Sequence, residues 1–294
     1  MRWLTYPWGY AFFRNGVLAG VLAGALCGLV GVYVVLRRMS YIGHGLSHAI
    51  FGGAVASYVV NVNFYLGAGL WGFASALLIN AVARRRKIGA DAAIGIVTTA
   101  SFAFGVALLS RYHEFTQNFE AALFGNILGV TATQLWVLAG VTAFAASAIF
   151  LRYRQLLFAT FDPEVADAYG VNVRRIDGLF AFILAATVIA TMQVLGVTLI
   201  AAVIVVPAIV GRLVTDSFGK MLVLATAVGA ACGFGGMYIS FYVDSASGST
   251  IVLFAAAVFS VVYAATAVTN RRRLGDLADD HESELAGGPV VRAG

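Results

Sequence analysis

The sequence predicts an all-α protein, a polytopic bundle of helices crossing a lipid bilayer, and three observations carry that prediction. Of 294 residues, 61% are hydrophobic and only 11% charged, with a mean hydropathy of +0.88. So little polar surface cannot cover a water-soluble domain. Apolar runs of about 20 residues recur along the chain, the length a helix needs to cross a hydrocarbon core of about 30 Å. The alternating segments of about 10 residues that build a membrane β-barrel are absent.

Taken in order, residues 1–13 are rich in aromatics (Trp3, Tyr6, Trp8, Tyr10, Phe12, Phe13) and suit a segment lying at the membrane interface. The transmembrane domain is expected over residues 14–270. Its first span, about 16–36, lacks a small-residue cleavage site and reads as a retained helix rather than a signal peptide. Gly16, Gly20, Gly24 and Gly28 recur every fourth residue in it, the small-residue face on which membrane helices approach closely. Spans over about 42–60 and 64–83 follow, the latter closed by Arg84, Arg85, Arg86 and Lys87. A fourth covers about 91–110. It leads into a polar connection where His113 and Glu114 read as solvated loop residues, and a fifth span covers about 133–151.

A charged interruption then separates Arg152 from Asp177. Residues 178–211 are apolar for longer than one crossing requires, and Gly196 and Pro207 divide them into two helices, about 177–195 and 197–211. The last spans are about 221–243 and 249–270. Residues 271–294 are acidic and poor in large apolar side chains, so a disordered cytoplasmic extension is expected there.

Charge placement bears on the count. The net charge of +5, from 19 Lys and Arg against 14 Asp and Glu, sits at the ends of apolar runs. That is the signature of cytoplasmic loops and needs no nucleic acid to explain it. If all the basic loops face the cytoplasm, the 178–211 run crosses twice, giving about nine spans with the amino terminus outside. A single tilted helix there gives eight. Cys27 and Cys232 both fall inside spans and read as small buried hydrophobes.

Chemistry concentrates in two places. His44 and His48 are four residues apart, so both imidazoles leave one face of a helix, and Gly52 and Ala56 continue that row as a shallow strip for a small solute. Imidazole inside a membrane is costly without a partner or water. Each ring could bond a backbone carbonyl or hydroxyl between helices, or the pair could contact a passing metal ion; neutral imidazole suits zinc, copper and nickel. The second place is Phe161 to Gly170, where Asp162 can cap a helix, Pro163 fits its first position, Glu164 suits its dipole and Gly170 can end it. A short helix of this kind in a cytoplasmic loop is either a connector or a docking element. Asn126 and Gln193 are uncharged polar groups near the membrane, candidates for the pathway or for bonding a neighbouring helix. No G-x-x-x-x-G-K-[ST] occurs, so an ATPase driving transport would be another chain. Motifs of an intramembrane enzyme are equally absent.

With these residues in view, the sequence resembles the zinc/manganese-uptake family of ATP-binding-cassette permeases. The resemblance spans about residues 14–270. It rests on Val35-Leu36-Arg37-Arg38-Met39-Ser40, Gly45-Leu46-Ser47-His48-Ala49, Ile94-Gly95-Ile96, Phe124-Gly125-Asn126-Ile127-Leu128-Gly129, Phe161-Asp162-Pro163-Glu164, and Gln193-Val194-Leu195-Gly196-Val197 running on to Pro207. It implies a type II importer-like permease in the bacterial plasma membrane, with no cofactor of its own and Zn²⁺ or Mn²⁺ as cargo. It further implies a second copy of the chain, a cytoplasmic ABC ATPase dimer that holds the ATP, and an extracytoplasmic metal-binding protein. Phe161, Asp162, Pro163, Glu164, Ala168 and Gly170 match the family's coupling segment, and His48 its pathway histidine. At the position of His44 the family commonly has aspartate; an imidazole there softens the site and favours zinc over manganese. Two other classes compete: a carrier driven by a proton or sodium gradient, and a membrane subunit that only anchors an ATPase.

Overall fold

A computed structural model describes residues 6–83, 89–112, 125 and 127–286, and every regular element among the described residues is helical. After a 3₁₀ turn at Tyr6–Gly9 come α1 (Ala11–Leu36), α2 (Ile42–Val59), α3 (Phe64–Ala83) and α4 (Ala90–Arg111). A second 3₁₀ turn at Ile127–Gly129 leads into α5 (Ala132–Leu151), α6 (Tyr153–Phe161), α7 (Pro163–Ala168) and α8 (Val173–Leu195). The chain finishes with α9 (Ile200–Val214), α10 (Phe218–Val243) and α11 (Ser247–Ala286).

By length and composition 7 of these helices can cross a membrane: α1, α3, α4, α5, α8, α10 and the first part of α11. α2 and α9 stand where the remaining two spans were expected. In α2 the two histidines, three serine and tyrosine hydroxyls and four glycines dilute the hydropathy. α9 has only 15 residues, about 22 Å of helix, less than a full crossing. The 178–211 run is therefore two helices, as expected. They break at Gly196, whose φ of +85° is a backbone state that a side chain would disfavour.

Of the seven candidate spans, α1 and α8 are the most enclosed, each with 72% of its apolar window buried, whereas the corresponding window of α11 is only 11% buried. α1 is therefore central, and its glycines show how. Gly20 packs on the Gly233 carbonyl, Gly24 on Gly229 and Gly28 on Ala225, an antiparallel seam in which the backbones of α1 and α10 meet without intervening side chains. Gly31 lies against the Ile204 carbonyl of α9 in the same close manner.

Contacts group the basic residues at one end. Arg37, after α1, pairs with Asp177 at the start of α8. Phe218, at the start of α10, packs on Tyr33 of α1 (5.4 Å between centroids) and on Tyr153 of α6 (5.5 Å). Gly211 near the end of α9 abuts Met221 and Ala225. Arg37, Arg38, Arg152, Arg154, Arg174, Arg175, Arg212 and Lys220 thus sit on loops and helix ends that meet there, which the positive-inside rule makes the cytoplasmic end. At the other end, Tyr10, Phe12 and Phe13 stack on Phe241 of α10.

Several boundaries differ from the sequence reading. α1 already begins at Ala11, inside the segment assigned to the interface. The helix expected over 161–170 is shorter, Pro163–Ala168, because Phe161 closes a separate helix, α6. α11 runs on to Ala286 where disorder was expected from residue 271: Leu, Ala, Arg and Glu are good helix formers, and no proline intervenes before Pro289. The basic cluster at 84–87, His113, Glu114 and Asn126 lie outside the described residues.

Candidate metal passage and docking helix

α2 follows α1 through a tight turn in which Arg38 takes a left-handed conformation (φ 56°). The Met39 amide donates to the Val34 carbonyl (3.0 Å) and the Arg38 amide to the Val35 carbonyl (3.1 Å), the double bond pattern that closes a helix end. Small residues then let α2 settle into the bundle. Gly45 faces Ile94 and Thr98 of α4, Gly52 faces Ser101 and Gly105 of α4, and Gly53 faces Trp71 of α3. On the face with the histidines, His44 is exposed, and His48, one turn on, is half-buried.

The two rings lie 4.4 Å apart between centroids and are inclined by 50°. His48 Nδ1 is 3.0 Å from the His44 carbonyl oxygen, which can only accept, so Nδ1 carries the proton and donates it. In the neutral ring this leaves the lone pair on Nε2, the form in which imidazole binds a metal ion. The hydroxyl of the fully buried Ser47 lies 2.9 Å from both the His44 and the Val197 carbonyls, tying this turn of α2 to the segment just before α9. Phe102 of α4 packs on the His48 ring at 5.3 Å.

The strip expected beyond His48 is not open. Gly52 is buried, pressed by the backbone of Ser101, and Phe51 packs on Phe102 at 5.4 Å. The surface available to a solute therefore ends at His48. No group of three or more His, Cys, Asp or Glu able to hold a metal exists among the described residues. Two imidazoles make half of a tetrahedral ligand set.

At the cytoplasmic end, Asp162 Oδ1 accepts from the Val165 amide (2.9 Å) and Pro163 occupies the first turn, so α7 is capped as its sequence suggested. Gly170, at φ 79°, closes it, with the Val171 amide donating to the Ala166 carbonyl (2.9 Å). Ala166 is fully buried, while Phe161 and Tyr169 are 63% and 81% exposed. Glu164 and Ala168 are exposed on the same short helix.

Gln193 is engaged elsewhere: its Oε1 accepts from Tyr65 Oη and from Gln134 Nε2, both at 2.9 Å, clipping α3 and α5 to the end of α8. Gln134 also completes a capping box with Thr131 at the start of α5.

With this geometry in hand, sequence comparison is decisive. The profile of the ABC 3 transport family matches residues 9–266. The chain belongs to the ABC 3 transport family. Among relatives of this ABC 3 permease, the manganese transport system membrane protein MntC of Halalkalibacterium halodurans is 35% identical over 254 residues, covering 86% of this chain and 87% of that protein. The chelated iron transport system membrane protein YfeD of Yersinia pestis is 31% identical over 258 residues, covering 88% and 86%. Among solved structures, PsaBC from Streptococcus pneumoniae in complex with Fab superposes with a TM-score of 0.78 at 31% identity, covering 86% of this chain and 91% of that one. The ABC 3 permease is thus an integral protein of the bacterial plasma membrane and a transporter subunit rather than an enzyme.

Sequence reasoning missed two features of this ABC 3 permease. Ser47 and Val197 are 150 positions apart, and nothing local announces their contact. Arg37 read only as a topology marker, yet it enters an ion pair with Asp177, 140 positions on.

Proposed function

We propose that this chain is the membrane-spanning subunit of an ATP-driven importer for a divalent first-row metal ion, with His44 and His48 as ligands that the ion meets on its way. The observation that carries the reading is the imidazole pair itself: two rings 4.4 Å apart on one face of α2, His44 exposed and neutral His48 with its Nε2 lone pair left available by the His44 carbonyl. A half-complete ligand set that ends in an exposed histidine supports a second copy of the chain across it, enclosing the path from the other side. The exposed Phe161 of α6, Val165 of α7 and Tyr169 just after it supply a docking surface for a separate cytoplasmic ATPase. Metal would arrive from an extracytoplasmic binding protein, and family membership weighs against a carrier driven by an ion gradient.

Zinc is the proposed cargo because imidazole is a softer donor than a carboxylate. Manganese is the second reading, favoured by the relatives whose names specify manganese transport. In proteoliposomes holding the permease with its ATPase, zinc uptake is expected to require ATP. His48→Ala should lower the rate about tenfold or more, the scale on which metal sites respond to loss of a supporting group. Equal uptake without ATP, or loss of uptake when a proton gradient alone is collapsed, would overturn the reading.

A further inference from the structure

The charged group that the proposed path and docking surface leave unused is Arg37. Its side chain is 12% exposed and that of Asp177 10%, so both charges are withdrawn from water at the cytoplasmic end of the bundle. Nη1 of Arg37 donates to Asp177 Oδ1 at 2.8 Å, and Nε donates to Thr160 Oγ1 at 3.1 Å. The guanidinium carbon lies 4.5 Å from the centre of the Phe180 ring. One side chain at the end of α1 therefore holds both α6, the helix that runs straight into the docking segment, and α8.

Burying an ion pair is a poor way to stabilise a fold: apolar residues of similar volume often serve as well or better. Its geometry here is also incomplete. Nη2 of Arg37 is buried without a hydrogen-bond partner, and so is the hydroxyl of Tyr33, one turn earlier on α1. A guanidinium that meets its carboxylate through one nitrogen, with Nη2 unspent, can change partners without losing its charge contact.

We propose that the Arg37–Asp177 pair is the joint that passes displacement of α6 and α7 to α1 and α8, making both residues positioning residues for transport. The proposal rests on the reading of α6–α7 as the ATPase docking surface. Arg37 links the docking segment to the two most enclosed of the candidate spans, and α1 carries α10 with it through the glycine seam. Thr160 is the contact on the moving side, and Asp177 and Phe180 are the contacts on the driven side.

The test uses the permease with its ATPase in proteoliposomes, reading zinc ions moved per ATP hydrolysed. The double variant R37M/D177L replaces the pair by apolar groups of similar size. It is expected to keep its melting temperature, its ATPase binding and its basal ATP hydrolysis, while zinc moved per ATP falls about tenfold, the scale of a typical coupling between sites. R37K retains the charge but not the planar stacking or the Thr160 bond, and should recover part of the ratio. Thr160→Val severs the link to α6, together with the hydroxyl's own bond to the Leu156 carbonyl, and should lower the ratio about threefold in an otherwise intact chain. A parental ratio in both R37M/D177L and Thr160→Val overturns the proposal. Loss of ATPase binding in R37M/D177L overturns it too, since the pair would then shape the docking surface rather than relay its motion. Val165→Glu tests the underlying reading separately: if it leaves the ATPase bound, docking at α7 fails whatever the ratio shows.

Discussion

His48 illustrates how much one hydrogen bond decides at the scale of a residue. A histidine bonded through Nδ1 to the carbonyl one turn back has its tautomer fixed by its own helix, so no second element is needed to present Nε2 outward. His44 has no such restraint and is exposed, which makes it the adjustable member of the pair. Replacing it with the harder oxygen donor of Asp should shift preference toward manganese. We expect His44→Asp to raise manganese uptake relative to zinc by about tenfold, or 1.4 kcal/mol in relative affinity. Uptake of the two ions measured side by side checks this, and an unchanged ratio would remove His44 from the ligand set. The pair was legible in the sequence because both residues lie on one helix. Ser47, which ties that helix to Val197, was not, because side chains one position apart leave a helix in different directions and its partner is remote.

Short helices at the cytoplasmic end show which local signals are reliable. Asp162, Pro163 and Gly170 marked the ends of α7, since caps act over three or four residues and need no tertiary context. The preceding α6 went unread because Arg152 and Arg154 resemble the end of a membrane span, and its buried Leu156 and Ala159 gain their stability only from packing. The helix over 271–286 was hidden for the opposite reason: acidic composition suggested disorder, while individual residues favour helix. With only six residues, α7 depends on its cap. Asp162→Ala should cost about 1 kcal/mol of helix stability and weaken ATPase binding about fivefold, whereas Asp162→Asn, which still caps, should not. Titrating the ATPase onto the permease in lipid nanodiscs measures both; equal affinity for all three chains would dissociate the cap from docking.

For the whole molecule, the bundle is organised by α1 and its seam with α10. The every-fourth-residue glycines of α1 announced a close approach but not its partner, although Ala225, Gly229 and Gly233 repeat the same spacing on α10. Pairing between distant spans is set by the assembled bundle and leaves no mark on either span alone. A side chain at Gly24 would meet the backbone of Gly229, which has no rotamer into which to retreat. Gly24→Leu should therefore destabilise the protein by at least about 1–3 kcal/mol, the cost of overpacking, with Gly24→Ala affected less. Thermal unfolding in detergent reads the difference, and an unaltered midpoint for Gly24→Leu would mean that α1 and α10 part easily. If they do not part, these two helices form a single stiff beam through the bilayer. Any change that lets an ion enter on one side and leave on the other must then pivot around that beam, and the parts free to swing are those bolted to its flanks.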